Sequence, residues 1–154
     1  MAEFSTIFFP TDMQFIPSPG AVEEGLAFVD TVYRGFHPVS VRQHETPGFI
    51  SSGASFDRFF CPACDALVTA YDYADWWYRS PVTCPRDPLE VIDMPCCGTR
   101  LPFRRLELGH QVGFARFQIE VEGAGDGLVP NEYQLYQLES LLGCRLQRIV
   151  HVSD

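Results

Sequence analysis

The stretch "VGFARFQIEVEG", residues 112–123, decides how the rest of the chain is read. Ala115, Phe117, Ile119 and Val121 alternate with Arg116, Gln118, Glu120 and Glu122, so one face is apolar and the other polar. A period of two predicts a β-strand that lies half on a core and half in water. Next come a flexible loop, "GAGDGLVP", and "NEYQLYQLESLLGC", in which Leu135, Leu138 and Leu142 recur at helical spacing. Asn131 is placed to cap that helix, Gln134 stands where a capping-box partner would, and Gly143 ends it. "RLQRIVHV" then predicts a closing strand, although its alternation is imperfect.

The upstream half has the same order. Residues 4–16, "FSTIFFPTDMQFI", predict two short extended pieces around a turn at Pro10-Thr11-Asp12. In "SPGAVEEGLAFVDTVYRG", Ser18 can cap a helix and Pro19 suits its first position. Glu23 and Glu24 sit near the positive end of the dipole, and Gly35 follows the last periodic residue. Val22, Leu26, Val29 and Tyr33 form its buried stripe. "HPVSVRQHE" predicts a half-buried strand, and "PGFISSGASFDRFF" a further extended segment. Strand, helix, strand on either side of a cysteine-bearing middle predicts an α+β fold. Its mainly antiparallel sheet and two helices would form ferredoxin-like β-α-β halves. The whole of 1–154 is expected to be one domain, with an inserted zinc-ribbon-like unit over 59–100. The prolines and aromatics of that unit suggest loops rather than regular elements.

Hydrophobic residues make up 46% of the chain and Phe occurs 13 times, enough apolar surface to offset the ordering entropy that keeps poorer sequences disordered. A formal charge of −9 opposes binding to a phosphate backbone, which makes nucleic acid an unfavourable partner. All 11 basic residues are Arg, for which codon bias is the plainer reading and a demand for planar guanidinium the functional one. No segment approaches 18 uninterrupted apolar residues, and "MAEFSTIFFPTDMQF" lacks the charged and apolar parts of a leader. The expectation is a soluble, cytoplasmic protein without a membrane partner, in a compartment where clustered thiols bind metal rather than pair.

The middle unit carries "FFCPACD" and "DMPCCGT". Four soft donors held tetrahedrally make a closed structural zinc site, and paired cysteines supply them economically. In Cys61-Pro62-Ala63-Cys64 the two intervening residues let a turn aim both sulfurs at one ion. Cys96 and Cys97 are adjacent, and both can bind only if the backbone kinks, which Pro95 and Gly98 allow. The expected ligand set is Cys61, Cys64, Cys96 and Cys97, with Zn2+ in a structural role. The gap between the pairs exceeds the usual span of about 15–20 residues, so an inserted loop is required. Cys84, His37, His44 or His110 could replace one of the adjacent cysteines. A thiol oxidoreductase using Cys61 and Cys64 is a competing reading, since C-P-x-C resembles a glutaredoxin-type dithiol, but such motifs start a helix. Reduced cysteines acting as small hydrophobes account well for Cys144 and poorly for four thiols beside proline and glycine.

Between the pairs lies "YDYADWWY". Asp72, Tyr73, Asp75, Trp76, Trp77 and Tyr78 are candidate partner-binding residues, because Trp and Tyr bury large areas at low entropic cost and the acids would attract a basic protein. The competing reading has Trp76 and Trp77 roofing the small core. Arg100, Arg104 and Arg105 could bind phosphate, but they more simply balance nearby acids. No nucleophile elbow, phosphate loop, dinucleotide fingerprint or H-E-x-x-H occurs, and the histidines are scattered, so the expectation is a protein that is not an enzyme.

"FFPTDMQFIP", "FFCPAC", "MPCCG", "GFARFQIEV" and "LESLLGCRLQRIVHV", taken in order, resemble a group of small bacterial proteins of unassigned function that carry a C-P-x-C and P-C-C-G ribbon. The resemblance spans most of the chain and implies a zinc ribbon set in an α+β domain. It brings no activity with it, and neither Cys84 nor "YDYADWWY" matches that group. The functional expectation is a zinc-stabilised protein-binding module, in its most specific form an immunity protein that neutralises a basic bacterial toxin. A nucleic-acid-binding ribbon is the alternative from another class.

Overall fold

A computed structural model describes residues 3–83, 87–109, 111–125 and 129–153. In order, the chain forms β1 (Glu3–Pro10), α1 (Pro19–Val32), β2 (Val39–Ser51), β3 (Arg58–Phe60), β4 (Leu67–Thr69) and α2 (Ala74–Arg79). It continues with β5 (Val91–Asp93), β6 (Arg100–Pro102), a 3-10 helix (Phe103–Gly109), β7 (Val112–Glu122), α3 (Glu132–Leu142) and β8 (Leu146–Ser153).

The local signals act as their chemistry dictates. Ser18 caps α1 by accepting the Ala21 N–H at 3.3 Å, with Pro19 in the first turn. Asn131 and Gln134 make a reciprocal capping box at α3, and Gly143 closes that helix in the left-handed conformation. The stripes Val22, Leu26, Val29, Tyr33 and Leu135, Leu138, Leu142 meet Phe8, Phe117, Ile119 and Val121 in one core between the two helices and the sheet.

The four long strands form a sheet in the order β2-β7-β1-β8, and every neighbouring pair is antiparallel. Each helix therefore crosses between strands that have a third strand between them, β1-α1-β2 around β7 and β7-α3-β8 around β1. These are the two split β-α-β halves of a ferredoxin-like α+β fold.

The far side of the sheet departs from the sequence expectation. It is covered in part: Gln118 is buried, and Ile7, Phe9, Ile50, Ala115 and Ile149 form a second core, whereas Arg116 and Glu120 are half-buried and Glu122 is exposed, as the alternation predicts. The physical cause is β2. It runs as one strand from Val39 to Ser51 with extra residues between Gln43 and Gly48, where the register shifts, and such a bulge bends and twists a strand. The chain beyond β2 reaches the opposite edge, where Gly53 bridges Val152 and Ala54 N–H donates to Val152 O at 2.7 Å. A Cβ on Gly53 would lie 2.2 Å from Val152 O, and its φ is +69°, so this closure depends on glycine.

Residues 11–16 form a turn and coil rather than a second extended piece. The middle unit is also more regular than its composition suggests. It consists of two short hairpins, β3-β4 and β5-β6, with a third α-helix, α2, between them. The 3-10 helix returns the chain to β7. Its Phe103 and Leu106, with Val112 and Phe114 at the start of β7, join Phe59, Val68, Trp77, Ile92 and Leu101 in the core of this unit. β7 thus contributes to all three cores, which seats the unit firmly on the sheet. No helix among the described residues is long and apolar enough to cross a membrane.

Candidate metal centre

Each cysteine pair forms the tip of a hairpin. In the first, Cys61 N–H donates to Ala66 O and Asp65 N–H to Cys61 O, both at 2.8 Å, so the chain reverses tightly around Pro62 and Ala63. In the second, Met94 N–H donates to Thr99 O at 2.9 Å and Gly98 N–H to Met94 O at 2.8 Å, which produces the kink expected of Pro95 and Gly98. Gly98 has φ +72°, where an L side chain is strained.

The tips face each other. Cys61 Sγ lies 3.9 Å from Cys97 Sγ and Cys64 Sγ 3.5 Å from Cys96 Sγ, and the four sulfurs all lie within 4.8 Å of one another. Four thiolates around an ion at about 2.3 Å stand about 3.8 Å apart along the edges of the tetrahedron, so the cluster fits a tetrahedral metal. It does not fit disulfides, whose sulfurs stand about 2.05 Å apart. The donor set suits zinc or iron. Cys61 is 2% exposed and accepts the Ala63 N–H at 3.4 Å, while Cys64 and Cys97 are exposed and Cys96 is half-buried.

The thiols of the second tip differ in acidity. Burial, followed by hydrogen bonds with Cys64 and Cys61, pushes Cys96 up to about 12. Hydrogen bonding with Thr99, whose Oγ1 lies 3.2 Å from Cys97 Sγ, brings Cys97 down to about 7. Metal binding at neutral pH therefore has to displace a tightly held proton from Cys96, whereas Cys97 is already about half ionised.

No family model, curated protein or solved structure significantly matches this chain.

All four expected ligands come together, and they are the only group of His, Cys, Asp and Glu among the described residues with metal-binding spacing. Of the possible substitutes, Cys84 and His110 lie outside the described residues. His37 is held elsewhere, with Nδ1 3.0 Å from Glu122 O and its ring edge-on to Tyr33, and His44 sits on β2. The dithiol reading meets a structural difficulty: Cys61-Pro62-Ala63-Cys64 turns a hairpin instead of starting a helix. Cys144 is half-buried against the helix-facing core, where burial and then the Glu139 charge push its thiol up to about 11, consistent with a packed, unreactive cysteine.

The aromatic stretch divides by role. Trp77 is 4% exposed and packs on Phe56 and Phe59, so its side chain belongs to the core and offers no surface. Trp76 is half-buried and its indole N–H donates to Asp93 O at 2.7 Å, tying α2 to the second hairpin. Tyr73 is half-buried, whereas Asp72, Asp75 and Tyr78 are exposed. Tyr71 is 92% exposed. Sequence reasoning missed Phe60 and Leu67, which face each other across β3 and β4 on the exposed side at 62% and 42%. Each stands beside a buried apolar residue, Phe59 and Val68, in a strand too short to show which of the two faces out. Of the arginine cluster, Arg100 pairs with Asp93 at 3.3 Å.

Proposed function

We propose that the protein is a non-enzymatic, zinc-stabilised binding module whose ribbon unit presents an aromatic and acidic face to a basic protein. The observation that carries this reading is the tetrahedral spacing of four cysteine sulfurs at the tips of two facing hairpins. Zinc held there by Cys61, Cys64, Cys96 and Cys97 would supply no reaction, because four thiolates leave no open position. It would fix the hairpins, each only three residue pairs long, which cannot hold their shape as isolated ribbons.

The binding face is the outward side of the first hairpin and α2. Phe60 and Leu67 are exposed as a cross-strand pair, Arg58 and Thr69 continue that side of the hairpin, and Tyr71, Asp72 and Tyr78 line the groove beside it. Exposed aromatics flanked by acids are the composition of a binding hot spot for a positively charged partner. An immunity protein acting on a basic toxin is the most specific form of this reading, and co-expression with such a toxin tests it.

The primary test is elemental analysis of purified protein with single Cys→Ser variants. About one zinc per chain, lost in Cys61→Ser, is the expected result. Iron in place of zinc would replace the structural role, and folded, metal-free protein would end it. For the binding face, complexes recovered from native cells should contain a basic partner that Phe60→Ser/Leu67→Ser loses and rising salt weakens. Binding of nucleic acid instead, with a salt-dependent gel shift, would favour the other class.

A further inference from the structure

We infer that Cys96 is a displaced ligand: the second hairpin repeats the first in register, and Met94 occupies the position that Cys61 holds in the first. The inference rests on the metal reading above and concerns how that site is built.

The correspondence runs residue by residue. Arg58–Thr69, Phe59–Val68 and Phe60–Leu67 pair in the first hairpin as Val91–Pro102, Ile92–Leu101 and Asp93–Arg100 do in the second. The inward pairs Phe59–Val68 and Ile92–Leu101 are buried in the same core. The hydrogen bonds correspond as well. Ala70 N–H donates to Asp57 O at 2.9 Å at the base of the first hairpin, as Phe103 N–H donates to Glu90 O at 2.8 Å in the second. The bonds at the tips, Cys61 to Ala66 with Asp65 to Cys61, are matched by Met94 to Thr99 with Gly98 to Met94. Pro62 corresponds to Pro95. Asp65, with φ +63°, corresponds to Gly98, with φ +72°, so the same left-handed residue closes both turns.

In this register Cys64 matches Cys97, and both are exposed closing ligands. Cys61, 2% exposed, matches Met94, 1% exposed. Ala63 matches Cys96. The second tip therefore keeps its closing thiol but has no thiol at the opening position, where the Met94 side chain is packed into the apolar core. A thioether carries no charge and is a poor substitute for a thiolate on zinc. The missing sulfur comes instead from two residues further on, at a position whose counterpart in the first hairpin is an exposed alanine. From there Cys96 Sγ still reaches within 3.5 Å of Cys64 Sγ. Three ligands thus occupy repeated positions, and the fourth, half-buried where Cys64 and Cys97 are exposed, comes from a position that holds no ligand in the first hairpin.

A thiol restored at the opening position should make Cys96 dispensable. Metal affinity would be measured by competition with a chromophoric chelator, and site geometry by the visible bands of the Co(II)-loaded protein. Cys96→Ser should weaken zinc binding by at least about tenfold. Met94→Cys/Cys96→Ser should recover most of that loss and the four-thiolate Co(II) spectrum, whereas Met94→Ala/Cys96→Ser should not. In Met94→Cys with all native thiols kept, Cys96 should become open to alkylation while zinc is bound, an outcome independent of how the double variant folds. If wild type binds zinc but Met94→Cys/Cys96→Ser folds without recovery, or Cys96 stays protected in Met94→Cys, the displaced-ligand inference fails and the metal reading stands. If wild type binds no metal, the metal reading itself fails.

Discussion

Cys96 and Cys97 are neighbours with opposite acid–base character. Burial raises the one to about 12, and hydrogen bonding with Thr99 lowers the other to about 7 from an ordinary 9. The thiolate is the nucleophile, so the lowered group reacts first. In protein stripped of metal, Cys97 should be alkylated by iodoacetamide with a rate midpoint near pH 7, while Cys96 stays protonated and slow across the neutral range. Peptide mass spectrometry over a pH series reads this directly, and a midpoint near 9 for Cys97 would show that Thr99 does not hold its thiolate once the metal has left. Residue type and spacing were enough to nominate all four thiols. Their unequal environments were not legible, because the burial of Cys96 and its contacts with Cys64 and Cys61 exist only once the hairpins pack together, and the bond from Thr99 to Cys97 only once the second tip has turned. The same holds for Trp76 and Trp77. Adjacent in sequence and identical in chemistry, they differ because only the tertiary fold sends one ring into the core and leaves the other bonded to Asp93.

Helices and strands were legible wherever a period and a cap agreed, as in α1 and α3, whose stripes and terminal residues stand as read. The hairpins of the middle unit were not, since strands of three residues are too short to show a period. Nor was the reach of β2 legible, because a bulge redirects a strand through geometry that its composition does not display. The closure at its end is testable. Gly53→Ala forces a side chain into a left-handed conformation and against Val152 O, and should destabilise the protein by about 2 kcal/mol or more. Urea denaturation would measure the loss. An unchanged midpoint would mean that the contact between the end of β2 and β8 contributes nothing to holding the sheet closed.

Across the whole molecule, three cores meet along β7: one under the helices, one on the far side of the sheet and one inside the ribbon unit. Only the core of the ribbon unit includes a cysteine of the thiol cluster, Cys61. Removal of metal should therefore loosen the hairpins and α2 while β1, β8, α1 and α3 keep their protection, because their packing does not pass through the site. Hydrogen exchange with and without a chelator would show this, and uniform loss of protection would indicate a single cooperative unit. The sequence by itself determined the α+β class, the two β-α-β halves and the identity of the four clustered thiols. Each of those depends on local periodicity, capping or residue chemistry carried within a short stretch of chain. Only the tertiary structure decided that the far face of the sheet is partly covered, which aromatics remain at the surface, and that Met94 occupies the place of a ligand. Those features depend on which distant segments come to lie side by side, and the burial and register that follow exist only once the chain has folded.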